Sequence, residues 1–539
     1  MKTAEQLLAE IRILKTQKQS LEKENEELSK KRNELEEEYE RLQFKAQWLE
    51  EKLNLNLSKR YGKSSEKGCK GQIELDIFNE AESESSSSVS EPEIEDVVVK
   101  EHKRKKKRSP KDAYKNLPVE RIEHDIPEED KVCPKCGKEM HKMSEEVVRH
   151  IEVIPAQFKV VEDVYPIYSC RNCEKNGINT PIKMSPKELL LIPRSLVSPS
   201  LMAYIMSQKF VNHLPLYRQE QEFRRNGLNL SRQTTANWVI AGGNLLKPLY
   251  DYMHKELVKK EVLHADETEL QVLNEQDRSY DMKSYMWLYR TSGCEIPIVM
   301  YEYQEGKSGL FAKEFLDGFS GYLHTDGYSG YNRLKDQVKL CGCWAHMRRK
   351  FNDSLITKKT PPDDCPEKTA LKYCEKLARI EKSANDMTNE DRYRIRQDKS
   401  QKIIDDFFEW VKKEQANLKV PQSLLGTAYT YAINQEYKLR RFLEDGRIEM
   451  TNNRAERSIK PFVMGRKNWL FCNTAKGAKA SAIVYSIIET AKENGLNPYE
   501  YLKWVFEQIR EGNDQPEMLA PWNMELKEKF PCLQTKEEK

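Results

Sequence analysis

A chain of 539 residues is too long for one hydrophobic core and implies three or four folded units. Its 90 Lys plus Arg nearly cancel its 87 Asp plus Glu, so the net charge of +3 excludes a uniformly polybasic or polyacidic chain and shifts attention to where the charges sit. The N-terminus lacks a signal-peptide apolar core, the longest apolar run (near Ala482–Ile488) is far short of a membrane span, and the twelve cysteines are scattered apart from two CxxC pairs, so a cytoplasmic protein with metal-bound thiolates is expected.

Leucines 7, 14, 21, 28, 35, 42 and 49 form an unbroken seven-residue repeat without Pro or Gly, which predicts a coiled coil over 1–60. With these leucines at d, the a positions are Ala4, Ile11, Lys18, Asn25, Arg32, Tyr39 and Ala46. Charge pairs between g and the following e of a second copy (Glu10 with Lys15, Lys31 with Glu36, Lys45 with Glu50) favour a parallel homodimer, and a buried Asn25 selects two strands. The alternative is one amphipathic helix packed on its own protein. From 61 to 116 the pattern dissolves into AESESSSSVSEPEIED and then HKRKKKRSPK, a charged linker too poor in apolar residues to make a core.

Residues 117–190 carry Cys133-x2-Cys136 and Cys170-x2-Cys173 around an alternating, strand-like stretch, which reads as a zinc ribbon. Four thiolates satisfy one tetrahedral Zn²⁺, and metal binding supplies folding energy that so small a unit cannot draw from its core. In 191–258, helices over Ser198–Gln221 and Ser231–Leu246 flank the turn-like FRRNGLNL, a helix-turn-helix-like region. Ser231 is placed to cap the second helix, whose leading turns carry Arg232, Gln233 and Asn237, where such a motif puts its DNA-reading side chains.

From 259 the texture becomes β-rich: three strand-like segments, then strands alternating with helices, the order of a ribonuclease-H-like sheet. In that order the first and fourth strands lie side by side, so Asp266 in HADET and Asp326 in HTDGY can approach across 60 residues. Glu456, on a helix starting at Thr451 or Asn452, supplies a third acid, after a helical insertion at 352–447. Three hard oxygen donors suit two Mg²⁺ (or Mn²⁺) ions for phosphoryl transfer. Glu267, Glu269 and Glu449 are rivals on pattern alone. Cations near the last acid, Arg454, Arg457 and Lys460, suit a site that grips phosphate backbones. The core thus spans 259–351 and 448–510, followed by a tail at 511–539.

The blocks RYGKSSEK, CPKCGKEM, YSCRNC, LPLYRQEQEF, HADET, HTDGY, CWAHMRRKF, NNRAERSIKPFVMGRKNWLF and SIIETAKENGLNPYEYL resemble, in order from Leu42 to Leu502, the large TnpC-type transposase of the insertion sequence 66 family. The resemblance implies a bacterial DDE transposase with Asp266, Asp326 and Glu456 as catalytic magnesium ligands and Cys133, Cys136, Cys170 and Cys173 as zinc ligands. It further implies transposon ends and target DNA as partners and small accessory proteins encoded alongside. Arg348 and Arg349 of CWAHMRRKF join the candidate DNA contacts. Cys343-x2-His346 resembles a C(2)H signature of several DDE groups, and is read here as core packing after a strand. Rival functions are a DNA-binding protein that has lost catalysis, and a nuclease of the same fold without strand transfer.

Overall fold

The computed structural model describes residues 4–61, 157–169, 182–184 and 186–532, apart from 276–277, 280–281, 359–360 and 419. The linker expected at 61–116 and the knuckle cysteines Cys133, Cys136, Cys170 and Cys173 lie outside the described residues. Among the described residues no helix is long and apolar enough to cross a membrane.

The heptad segment forms one uninterrupted helix, α1 (Ala4–Tyr61). At ~1.5 Å per residue it is roughly 87 Å long. Leu21, Leu28, Leu35, Leu42 and Leu49 leave 51–59% of their surface exposed, an apolar stripe that nothing among the described residues covers along those turns. Its foot meets the rest of the fold, where Glu51 Oε2 accepts the Leu424 N–H at 3.1 Å. Two three-residue strands, β1 (Ile167–Ser169) and β2 (Ile182–Met184), pair antiparallel on either side of the second knuckle. The strand pair thus flanks the second knuckle in the sequence, and 157–166, expected to alternate as a strand, forms none.

The helical region contains α2 (Pro199–Phe210), α3 (Leu216–Arg225), α4 (Arg232–Leu245) and α5 (Lys247–Leu257). The single helix expected over Ser198–Gln221 is broken: residues 211–215 leave helix geometry, and Pro215, which has no N–H to donate, precedes α3 as its N-cap. Ser231 caps α4 as expected, its Oγ accepting the Thr234 N–H at 3.1 Å.

The sheet follows, with β3 (Val262–Asn274), β4 (Lys283–Thr291), β5 (Val299–Gln304), then α6 (Gly309–Phe315), β6 (Tyr322–Thr325) and β7 (Lys339–Gly342). Its strand order is β5-β4-β3-β6-β7, antiparallel through β3–β5 and parallel from β3 to β7. This is the mixed topology of a ribonuclease-H-like domain. After β7 come α7 (Trp344–Leu355), α8 (Pro366–Ser383), α9 (Asn389–Ile395), α10 (Gln401–Ala416) and α11 (Leu424–Leu439). The chain then returns through α12 (Asn453–Trp469), β8 (Cys472–Thr474), α13 (Ala475–Glu493) and α14 (Pro498–Glu511).

The inserted helices share one apolar core with the end of the sheet. Trp344, Phe351, Phe407, Phe408, Tyr429 and Phe442 are all buried in it. The Trp344 indole N–H also donates to the Leu439 carbonyl at 2.9 Å, which satisfies the polar end of an otherwise apolar burial. On the other side α13 packs on β5 and on α4. The latter approach is so close that a Cβ at Gly243 would sit 2.9 Å from that of Ala480. The helical region is thus seated on α13, which in turn covers the sheet at β5.

Candidate active site

The register of β3 and β6 decides the site. Val262, Leu263 and His264 pair with Tyr322, Leu323 and His324, so Asp266 and Asp326 stand at matching positions two residues further along parallel neighbours. Asp326 follows the last residue of β6, and its Oδ1 turns back to accept the Tyr328 N–H at 2.8 Å. Gly327 is needed here, because a Cβ would meet the Tyr431 ring at 2.5 Å. Asp266 Oδ1 accepts the Glu267 N–H at 2.8 Å.

Glu456 lies in the first turn of α12, and α12 is held from three directions. Arg290, buried on β4, donates to the Ser458 hydroxyl and to Glu493 of α13, and the Tyr301 hydroxyl donates to the Ser458 carbonyl. The third hold is Asn452. It precedes the helix as expected, but its side chain caps no helical N–H. Its Oδ1 instead accepts from His264 Nδ1 at 2.9 Å, its Nδ2–H donates to the Ala265 carbonyl at 2.8 Å, and its backbone N–H donates to Cys343 Sγ at 3.1 Å. One buried amide therefore ties the start of the Glu456 helix to the strand carrying Asp266.

Beneath the two aspartates, His264 and His324 stack with centroids 5.0 Å apart and planes 7° from parallel. His324 Nε2–H donates to the Glu449 carbonyl at 2.9 Å. Burial, with His264 beside it, pushes the His324 imidazole down to about 3, and burial likewise lowers His264, so the stack is uncharged. The sequence reading missed these histidines and the bonding role of Asn452. The signal was there: a histidine stands two places before the aspartate in both HADET and HTDGY.

The carboxylates act on one another. Burial, and then the charges of Glu267, Asp326 and Glu456, push the Asp266 carboxyl well above the usual carboxylate range. The rival acids are already engaged. Glu267 accepts from Lys307 Nζ and from the Tyr331 hydroxyl, each at 2.7 Å. Glu269 pairs with Lys283 at 2.7 Å on the surface. Glu449 pairs with Arg454 at 2.6 Å and accepts the Gly293 N–H at 3.1 Å. Burial works against its ionisation, but the Arg454 guanidinium and that N–H outweigh it and hold its carboxyl below the usual range. A cluster of mutually repelling acids with no cation bonded to Asp266 or Asp326 among the described residues is a donor set that a divalent metal would satisfy.

Of the candidate DNA contacts, Arg232, Gln233 and Asn237 lie exposed on the first turns of α4, and Arg349 and Arg457 are exposed near Glu456. Arg349 Nη2 stands 3.7 Å from Glu456 Oε2. Arg348 and Lys460 are half-buried, and Arg454 is taken up by Glu449.

Comparison with known proteins gives the class. A family model described as "Transposase IS66 family" matches residues 194–480, which include all three acids. A "zinc-finger binding domain of transposase IS66" matches 130–174, the span of the four knuckle cysteines. An "IS66 C-terminal element" matches 486–522, and a "Transposase C of IS166 homeodomain" matches 48–122. The chain belongs to the IS66 family of DDE transposases. Three uncharacterised proteins of Sinorhizobium fredii are similar to it: y4qI at 33% identity (75% of this chain, 76% of that one), y4jD at 32% (76% and 81%) and y4hP at 30% (72% and 73%). A DDE domain implies a divalent metal, and the zinc-finger match implies zinc.

The uncharged histidine stack has a consequence for stability. Between the ordinary histidine value and about 3, the unfolded chain binds a proton at residue 324 that the fold does not. Stability is therefore complete above pH ~6.5 and falls as pH drops, by up to about 1.4 kcal/mol per pH unit for each such histidine. Thermal unfolding followed from pH 7.5 to 5.5 should show a falling midpoint, and His324→Gln should flatten that dependence.

Proposed function

We propose that this chain binds the terminal inverted repeats of an insertion sequence, cuts DNA at those ends, and joins the freed ends to target DNA. The observation that carries the reading is the register of β3 and β6, which sets Asp266 beside Asp326, with Glu456 brought to them by α12. These three side chains would hold two Mg²⁺ ions. Bound there, the ions would neutralise charge at the scissile phosphate and favour the ionised form of the attacking oxygen.

The chemistry is two phosphodiester substitutions. In the first, water attacks a phosphodiester at the transposon end and the departing oxygen becomes a free 3′-hydroxyl. In the second, that hydroxyl attacks a target phosphodiester and releases another 3′-hydroxyl, so the number of phosphodiester bonds is conserved. No protein nucleophile is required. Exposed Arg349 and Arg457, with Arg348 and Lys460 beside them, would grip phosphates flanking the reacting one. Arg232, Gln233 and Asn237 on α4 would read the repeat together with the ribbon of Cys133, Cys136, Cys170 and Cys173, which would hold one structural Zn²⁺.

The exposed leucine stripe of α1 would pair with a second copy in parallel, so that two active sites handle two ends. Leu28→Lys combined with Leu35→Lys is expected to convert a dimer to a monomer in light scattering behind gel filtration. An unchanged mass would refute the coil as the dimer contact.

The enzymatic reading is tested with purified protein, a labelled pre-cleaved transposon end, a plasmid target and Mg²⁺. Covalent end-to-plasmid product is expected from the native chain, with a loss of a hundredfold or more in Asp326→Ala. Hydrolysis without joining would support a nuclease, and joining unaffected by the substitution would refute the site.

A further inference from the structure

A second cluster of ligating groups stands against the acidic one. Cys343, the residue before α7, His346 in the first turn of that helix, and Glu456 on α12 place one sulfur, nitrogen or oxygen atom each within 4.8 Å of one another. His346 Nδ1 and Glu456 Oε1 are 3.6 Å apart. That is too long for a hydrogen bond, and both atoms are buried without a hydrogen-bond partner. Two ligands of one tetrahedral ion, with bonds of about 2.0–2.3 Å, stand about 3.3–3.6 Å apart. The separation is therefore that of two groups sharing an ion, and the cysteine sulfur, within 4.8 Å of both, has to close by at most about 1 Å to join them.

The surroundings suit such an ion. Cys343 Sγ is a buried free thiol that accepts the Asn452 N–H at 3.1 Å, the kind of N–H to sulfur bond that supports a metal thiolate. Two ligands three residues apart on one helix turn and a third from another element make a three-ligand site with room for water as the fourth. A soft sulfur, an imidazole and one carboxylate oxygen favour Zn²⁺ over Mg²⁺.

We propose that Cys343, His346 and Glu456 Oε1 form a zinc site, separate from the ribbon, that clamps α7 to the start of α12. The pair read from sequence as core packing gains its third ligand from a residue more than a hundred positions away. Glu456 Oε2, the oxygen facing Arg349, is left outside the clamp. The site stands on these three residues whether or not Asp266 and Asp326 carry catalysis.

Zinc content of the purified full-length chain tests this. The ribbon contribution is removed by replacing Cys133, Cys136, Cys170 and Cys173 with Ser, and bound metal is counted by elemental mass spectrometry after dialysis against free Zn²⁺. One equivalent of zinc is expected to remain. It should fall at least tenfold on adding His346→Gln, a partly exposed position where folding is expected to survive, and again on adding Cys343→Ser. Asp326→Ala should leave it unchanged, which separates the clamp from the catalytic reading. Replacement by Co²⁺ should give a thiolate-to-cobalt charge-transfer band that His346→Gln weakens and Cys343→Ser abolishes. No zinc in the ribbonless chain, or zinc and a cobalt band indifferent to both substitutions, would overturn the proposal.

Discussion

The site depends on one constraint: carboxylates that repel each other must be kept together by bonds made elsewhere. Asp266 is held in a half-buried position where its neighbours disfavour its charge. The sheet supplies part of the hold through the β3–β6 register, which no side-chain rotation can undo. Asn452 adds to the holds that Arg290 and Tyr301 make on Ser458, since its amide is shared between His264 and the Ala265 carbonyl while its own N–H goes to Cys343. Because those groups are buried, losing one partner leaves another unsatisfied at a cost of about 1–3 kcal/mol, so the helix carrying Glu456 has little freedom to drift.

The histidine stack belongs to the same arrangement. Two imidazoles face to face could not both be charged at this depth, and each has a hydrogen-bond partner that sets its tautomer. His264 donates from Nδ1 to Asn452, and His324 donates from Nε2 to the Glu449 carbonyl. Glu449, fixed by Arg454, is thereby a supporting group: its backbone carbonyl accepts from His324, and its carboxylate lies 4.0 Å from His264 Nε2. The bonds these rings make favour one geometry over its neighbours, while His264 Nε2 and His324 Nδ1 are buried without a hydrogen-bond partner.

Much of this was legible in the sequence. The heptad leucines form one helix, Ser231 caps where expected, and the spacing of strand-like segments correctly set the first strand beside the fourth. The break before Pro215 was legible too, but apolar periodicity was allowed to run through a residue that cannot continue a helix. Other features were out of reach of local pattern. Which of Asp266, Glu267 and Glu269 faces the site depends on strand pleat and on Lys307 and Tyr331 arriving from distant segments. The meeting of Cys343 and His346 with Glu456 depends on how the inserted helices return the chain to the sheet. Long-range encounters of this sort leave no periodic trace.

The central claim is that Asp266, Asp326 and Glu456 form a single divalent-metal centre. Its most direct test replaces Mg²⁺ with Fe²⁺, adds ascorbate and peroxide, and maps by mass spectrometry where locally generated hydroxyl radicals cut the backbone. Cuts clustered at all three positions, competed away by Mg²⁺ and lost together in Asp266→Ala, are the predicted result. Cuts at only one of the three, or a pattern that survives the substitution, would contradict the account.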